Sequence, residues 1–536
     1  MGQFRKLLSS QEFRGFESHP LRHYFYIMTT KKASYGIFGF FAVAAIVLVF
    51  FTTSNGINII SDSVTYLQTA DNIVEGLGVK DYSGHELAPM IHFPPLYPLI
   101  LSLFIKIGID PLSGARVLNA ITFAIIIFLV AHITYRASKS LWVAFFAGCF
   151  TLASSTAILI HSFVLTESSF IVFMLLCFIS LVEYFQSRRF LLFFVSAMFA
   201  AFAVFDRYVG VTVVASCMLA ILFWDNRETR ERLRQFFLFG VFSMFPIGLW
   251  FIYNYLRVGA FTDRVFAFHP LTLDNILLFF ATLSEWVMPY WHNVFTGIFI
   301  FVFIIVFLAK YISQRKKLFN KVSVSDFFYL RLIDVFTLFV ICYFVFLCFS
   351  ISFFDALTPL NYRMLAPLYF VLVIIFALVF FRSIRNFYFT FALGFFCLIG
   401  LVYSTNMAMF IYSEGLGFTS KYIVSSTVKD EILLIADEKV IYTNVPHMVY
   451  VLSSRLSYML PQKKNPHAIL LNEEYINDVE QMRESVQNGD AVILYILMPN
   501  FQDPRMQMLS LEEIEPMFGS NISTRVTDDV IVFYRE

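Results

Sequence analysis

The stretch YGIFGFFAVAAIVLVFFTTSNGINIISDSVTY, residues 35–66, decides the fold class. Its first part, 35–53, holds no charged residue. As a helix it is long enough to cross a ~30 Å hydrocarbon core, and a helix satisfies its own backbone where lipid cannot. Comparable runs recur at about 115–135, 141–160, 165–185, 190–205, 208–224, 236–254, 293–312, 332–353, 364–381 and 386–411. Charged residues make up only 14% of the 536, against the roughly 25% of soluble chains, and mean hydropathy is +0.71. The expected fold class is therefore a polytopic α-helical membrane protein of about eleven spans. A net charge of +1 gives no global field for nucleic acid or an acidic partner. The six cysteines all fall inside apolar runs, where they read as small buried residues rather than a disulfide framework or a metal knuckle. The first apolar run starts too late and runs too long for a signal peptide.

Lysines and arginines set the orientation. With residues 1–34 as a cytoplasmic segment, the cytoplasmic loops collect 22 of them, against 7 in the outer loops (Lys80, Lys106, Arg116, Arg207, Arg257, Arg264, Arg363). That is the bias of the positive-inside rule. Residues 95–107 are apolar but too short to span, and counting them would invert every later loop. They are expected to lie in the outer interface as a helix opened by Pro94–Pro95. The odd count then places the C-terminus outside the cell membrane. The expected domains are a transmembrane catalytic part at 35–412, with a large outer loop at 54–114, and a small extracytoplasmic α/β domain at 413–536. In the latter, short β-rich runs (Val440–Thr443, Ala491–Ile496, Val530–Tyr534) alternate with a helical stretch near Glu473–Val486.

Candidate chemistry gathers at the outer ends of the spans. Asp62 sits near the headgroup boundary, where a carboxylate could meet both a membrane-borne and a water-borne substrate and act as a general base. Equally, Ser61 or Asp62 could cap the helix that follows. Glu167, at the outer start of a span, is either a site acid or a charge favoured by the helix dipole. Glu183, near a cytoplasmic end beside Arg188, is expected to snorkel. Arg207, Arg257, Arg363 and the deeper Arg264 lie on the side that positive charge avoids. They are either headgroup contacts or a phosphate-binding cluster, which His92 could join. Asp206 and Arg207 are expected to pair.

These residues carry a resemblance. Ser61-Asp62 with Tyr66, Phe93-Pro94-Pro95-Leu96-Tyr97-Pro98, Gly114-Ala115-Arg116-Val117-Leu118-Asn119, Leu165-Thr166-Glu167, Asp206-Arg207-Tyr208-Val209-Gly210, Trp250 with Asn254-Tyr255, and Tyr362-Arg363 resemble C-type glycosyltransferases. Among these the sequence resembles the aminoarabinose transferases of lipid A and, further off, the protein O-mannosyltransferases. The resemblance implies transfer of a sugar from a polyprenyl-phosphate carrier to a lipid, glycan or protein acceptor on the outer face, with inversion. It implies Asp62 and Glu167 as catalytic residues. It also implies a donor and phosphate site drawn from Tyr66, His92, Arg207, Tyr208, Arg257, Arg264 and Arg363. Phe93 stands where aminoarabinose transferases carry a lysine, and Ser63 where O-mannosyltransferases carry a second acid. A divalent metal bridging Asp62 and Glu167 is compatible with the pattern, although no ligand spacing demands one. The competing functions are a transporter or flippase of lipid-linked sugars and a non-catalytic membrane receptor.

Overall fold

A computed structural model describes residues 18–83, 86–225, 227–287, 292–319, 327–383, 387–464, 469–498, 507–518 and 522–535. Each apolar run forms a helix. In chain order these are α1 (Ser18–Thr52), α2 (Ser61–Val74), α3 (Leu96–Lys106), α4 (Pro111–Ser138), α5 (Leu141–Leu152), α6 (Ser155–Ser162), α7 (Glu167–Ser187) and α8 (Phe190–Asp206). There follow α9 (Val211–Trp224), α10 (Thr229–Val258), α11 (Leu273–Glu285), α12 (Val294–Phe319), α13 (Phe327–Phe353), α14 (Tyr362–Ser383) and α15 (Phe387–Glu414).

Among the described residues, eight helices are long and apolar enough to cross a membrane: α1, α4, α7, α10, α12, α13, α14 and α15. A ninth span is made if α5 and α6, bent by 54°, count as one. The break has a local cause, since the Ser154 hydroxyl accepts from the Ala157 N–H at 3.2 Å and starts a new helix. The remaining expected spans, 190–205 and 208–224, are shorter apolar helices. The segment expected to lie in the interface is α3, which buries Tyr97 and Leu101 and leaves Leu103, and Ile107 just after the helix, exposed. Between α2 and α3 the loop also forms a hairpin of β1 (Lys80–Ser83) and β2 (Glu86–Pro89), which the sequence did not signal.

The helix α7 is the most enclosed of the candidate spans, with 78% of its apolar window buried. It packs among α4, α8 and α13, so a residue at its tip lies at the centre of the bundle rather than its rim.

The C-terminal residues form a small mixed sheet flanked by helices. Its sheet runs β4 (Tyr458–Met459), β3 (Val440–Thr443), β5 (Ala491–Ile496), β7 (Val530–Tyr534), β6 (Ser523–Val526). The β3 pairings are parallel and those of β7 antiparallel. One face packs on α19 (Tyr475–Asn488) and α20 (Leu511–Phe518) through Met482, Val486, Ile514 and Phe518. Three helices, α16 (Lys421–Val424), α17 (Val428–Leu434) and α18 (Pro446–Ser453), lie on the other side. There the sheet residues Val492, Leu494 and Val532 share one apolar cluster with Met448 and with Val64, Tyr66 and Leu67 of α2. The domain is thus packed against the first loop rather than tethered beyond it.

Candidate active site

The site starts from a short strap, residues 57–60. Asn58 pairs in parallel with Phe163, and Ile59 with Gly417. The Asn58 side chain joins both neighbours, donating to Ser162 O at 3.0 Å and accepting from Leu416 N at 2.7 Å. A Cβ on Gly417, whose φ is +61°, would stand 2.2 Å from the Ile59 carbonyl oxygen, so glycine is required at this close approach. The strap therefore delivers the start of α2 against the start of α7.

Neither Ser61 nor Asp62 caps α2. The cap residue is Ile60, whose N–H donates to Ser63 Oγ at 3.1 Å, while that hydroxyl donates to Val164 O at 2.9 Å. Ser63 does the local work, which leaves the Asp62 carboxylate in the first turn to accept from Arg363 Nη2 at 2.7 Å. Arg363 is aimed by its own helix start, where Asn361 Oδ1 accepts from the Arg363 N–H at 3.1 Å. Its Nε donates to Glu167 Oε1 at 3.0 Å. Arg207 Nη1 reaches the same oxygen at 2.9 Å and also donates to Thr166 Oγ1 at 2.8 Å. Four residues from four distant segments thus form one alternating cluster: Asp62, Arg363, Glu167, Arg207.

The two acids differ in environment. Glu167 is 1% exposed and is held between two guanidiniums, an ionised counter-charge fixed in place. Asp62 keeps 33% of its side chain exposed. Its recessed position pushes its carboxyl up, but the Arg363 charge and hydrogen bond, with His92 and Arg207 further off, hold it below the usual carboxylate value. It is the more accessible of the two acids. Below it lies Tyr66, 2% exposed and packed on Phe93 and Tyr97 at ring distances of 4.9 and 5.2 Å. Burial, then the Asp62 charge, raises the Tyr66 phenol well above its ordinary value, so it stays protonated.

The other candidates are distributed around this cluster. His92 Nδ1 lies 2.8 Å from Asp263 Oδ2, and Tyr208 donates to Ile91 O at 3.1 Å while stacking on Phe251. Arg264 pairs with Asp355 at 2.6 Å. Arg257 is exposed and lies over the Tyr253 ring at 5.6 Å, apart from the cluster. Asp206 does not pair with its neighbour as expected. It accepts from Ser169 Oγ at 2.7 Å, because Arg207 adopts an extended backbone (φ −147°) that turns its side chain toward α7. Glu183, expected to snorkel, pairs with Arg136. A metal bridging Asp62 and Glu167 fits poorly, since the Arg363 guanidinium already contacts both carboxylates. No group of three or more metal-ligating side chains occurs among the described residues.

Several positioning residues were not singled out from the sequence. Asn119 is fully buried and donates to His161 O at 3.0 Å and Phe163 O at 2.7 Å, which fixes the chain entering α7. Asn361, just before Tyr362-Arg363, is of a residue type that caps helices but was not singled out as one; Asn58 gave no signal, and Thr166 entered only within the Leu165-Thr166-Glu167 motif.

Comparison with known proteins follows the same lines. Residues 84–260 match the family model of dolichyl-phosphate-mannose-protein mannosyltransferases. No curated protein matches in sequence. Among solved structures, ArnT from Cupriavidus metallidurans in the apo state is 13% identical, with 94% of this chain and 98% of that chain covered and a TM-score of 0.50. The oligosaccharyltransferase of Archaeoglobus fulgidus in the apo form is 12% identical, with 86% and 69% covered and a TM-score of 0.51. The resemblance carried by the scattered motifs is thereby borne out, and the chain has the fold of the C-type glycosyltransferases, with the mannosyltransferase family match over 84–260.

Proposed function

We propose that this chain is an integral membrane glycosyltransferase that moves a sugar from a polyprenyl-phosphate carrier to an acceptor on the outer face of the membrane, with Asp62 as general base. The family match supports the donor class, since its members are described by a dolichyl-phosphate-mannose donor. Counting α5–α6 as one span and adding the two shorter helices to the eight long ones gives eleven. In this reading the N-terminus is cytoplasmic and the sheet domain lies outside; an odd count and the lysine and arginine bias support it. The strap and the sheet domain share one end of the bundle with Asp62, which agrees with it.

The observation that carries the reading is the unequal treatment of the two acids. Glu167 is fixed between Arg207 and Arg363, while Asp62 is accessible and shares Arg363. A lipid phosphate arriving at the two guanidiniums competes with Asp62 for Arg363. As Arg363 turns to the phosphate, Asp62 loses its stabilising cation and becomes a stronger base. It then takes the proton of the acceptor hydroxyl as that oxygen bonds to the anomeric carbon. The carbon–oxygen bond to phosphate breaks, and its electron pair leaves on the phosphate against the two arginines. Arrival of the donor thus readies the base. Inversion at carbon follows from the single displacement.

The test is Asp62→Asn in purified protein reconstituted into lipid discs, with consumption of the lipid-linked sugar followed by mass spectrometry. An asparagine carbonyl can still accept from Arg363, so folding is retained while the base is lost. General-base removal is expected to lower turnover about 10²–10⁴-fold. Wild-type turnover in this variant would refute the assignment.

A further inference from the structure

A cavity of about 190 Å³ lies where the sheet domain meets the first loop. Gln68 of α2 and Tyr82 of β1 form one wall, and His447 and Tyr450 of α18, with Ser457 and Met459 at β4, form the other. At ~30 Å³ per water it has room for roughly six waters, which is about the bulk of one pyranose ring. Its chemistry matches such a ring. Two tyrosines offer flat faces for sugar C–H groups. An amide, an imidazole and a hydroxyl offer paired donors and acceptors for ring hydroxyls. None of the lining residues is a lysine or arginine, so the cavity is not built for phosphate.

Its position ties it to the reaction. Gln68 lies six residues beyond Asp62 on α2, about 9 Å along a helix axis, which is the reach of two linked sugar rings. His447 is close enough to Asp62 for the carboxylate charge to act on it, although burial is the larger influence and holds the imidazole in its neutral form, one nitrogen donating and one accepting. Tyr450 is placed to hydrogen bond with Gln68 across the cleft. The two walls come from the first loop and the sheet domain, which the pairing of Ile59 with Gly417 ties together.

Building on the glycosyltransferase reading, we propose that this cavity binds a saccharide ring of the acceptor, one sugar away from the hydroxyl that Asp62 deprotonates. The enzyme then extends or caps a glycan rather than modifying a bare lipid or an unglycosylated peptide.

The test uses the full chain in lipid discs and saturation-transfer NMR against a panel of methyl hexosides and methyl dihexosides of each common linkage. At least one dihexoside is expected to bind. Tyr450→Ala, which removes one aromatic face, is expected to weaken that binding tenfold or more. Met459→Trp, at a position already 38% exposed, is expected to do the same by filling the space without disturbing a core. Asp62→Asn is expected to retain saccharide binding while losing transfer. Failure of every panel member to bind, or binding unchanged in both cavity variants, overturns the acceptor assignment. Wild-type transfer by Asp62→Asn instead overturns the catalytic reading on which it rests.

Discussion

Replacing Arg363 with methionine keeps most of the side chain's apolar stem and removes the guanidinium that contacts Asp62 at 2.7 Å and Glu167 at 3.0 Å. Removing one partner of a buried ion pair costs about 3–5 kcal/mol, because the stranded charge cannot rehydrate. Glu167, 1% exposed, is stranded only in part, since Arg207 stays at 2.9 Å; its share falls at the low end. Asp62 is one-third exposed and can draw water, so its share is about 1 kcal/mol or less. The expected loss is therefore about 3–4 kcal/mol, combining the low end of the buried-pair range with a surface-pair term. Glu167→Gln removes the charge that Arg363 balances. In the double variant the two losses should fall short of their sum by about 1–3 kcal/mol, as expected for groups in direct contact. Unfolding of all four proteins in mixed micelles measures the cycle. A loss below about 1 kcal/mol for Arg363→Met, or additivity within about 0.5 kcal/mol, would show that these charges are not coupled and remove the basis for donor-triggered activation of Asp62.

Three further expectations follow from the loop, the strap and the chain entering α7. Burial pushes the Asp81 carboxyl up to about 6, with the backbone and His92 pulling it back and Asp263 adding to it. A raised carboxyl binds more protons in the folded state than in the unfolded one, so it favours folding at low pH and loses that advantage as pH rises through about 6. Asp81→Asn should accordingly raise the thermal midpoint at pH 7 and give little or no gain near pH 4; an equal gain at both would remove the Asp81 assignment. Gly417→Ala forces a Cβ against the Ile59 carbonyl and should speed amide exchange at Phe418, whose N–H now donates to Ile59 O at 2.8 Å, and lower turnover. Unchanged protection at Phe418 would show that the strap tolerates the methyl. Asn119→Ala strands the carbonyls of His161 and Phe163, a loss of about 1–3 kcal/mol for each group left unsatisfied, readable as a lower unfolding midpoint.

Much of the architecture was legible because it rests on one-dimensional signals. Uncharged runs are helices at the expected places, and the strands Val440–Thr443, Ala491–Ile496 and Val530–Tyr534 coincide with the β-rich runs read from sequence. What sequence did not disclose is which charge meets which. Arg363 and Asp62 are 301 residues apart, and no periodicity links them. Adjacency actively misled at Asp206 and Arg207, where the end of α8 sends consecutive side chains in different directions. Arg257 looked like Arg207 and Arg363 because each flanks a span. It lies within the last turn of α10, whose end leaves it exposed over Tyr253. The small hairpin between α2 and α3 escaped because its strands, Lys80–Ser83 and Glu86–Pro89, contain no Val, Ile or Thr, unlike the equally short Val440–Thr443.

The pairing of residues 57–60 with both 162–164 and 416–418 is made largely of main-chain hydrogen bonds. Side chains of the sheet domain outside this pairing and outside its apolar contacts with α2 can therefore be exchanged without altering where that domain sits relative to the carboxylate of Asp62. On the proposed acceptor site, the part of recognition supplied by the sheet domain is mechanically coupled to the chemistry but genetically separable from it. A foreign C-terminal domain grafted after Glu414 should inherit the alignment if it keeps the glycine at 417 and the apolar contacts to α2. Such a chimaera would be a route to a new acceptor that leaves the reacting cluster untouched.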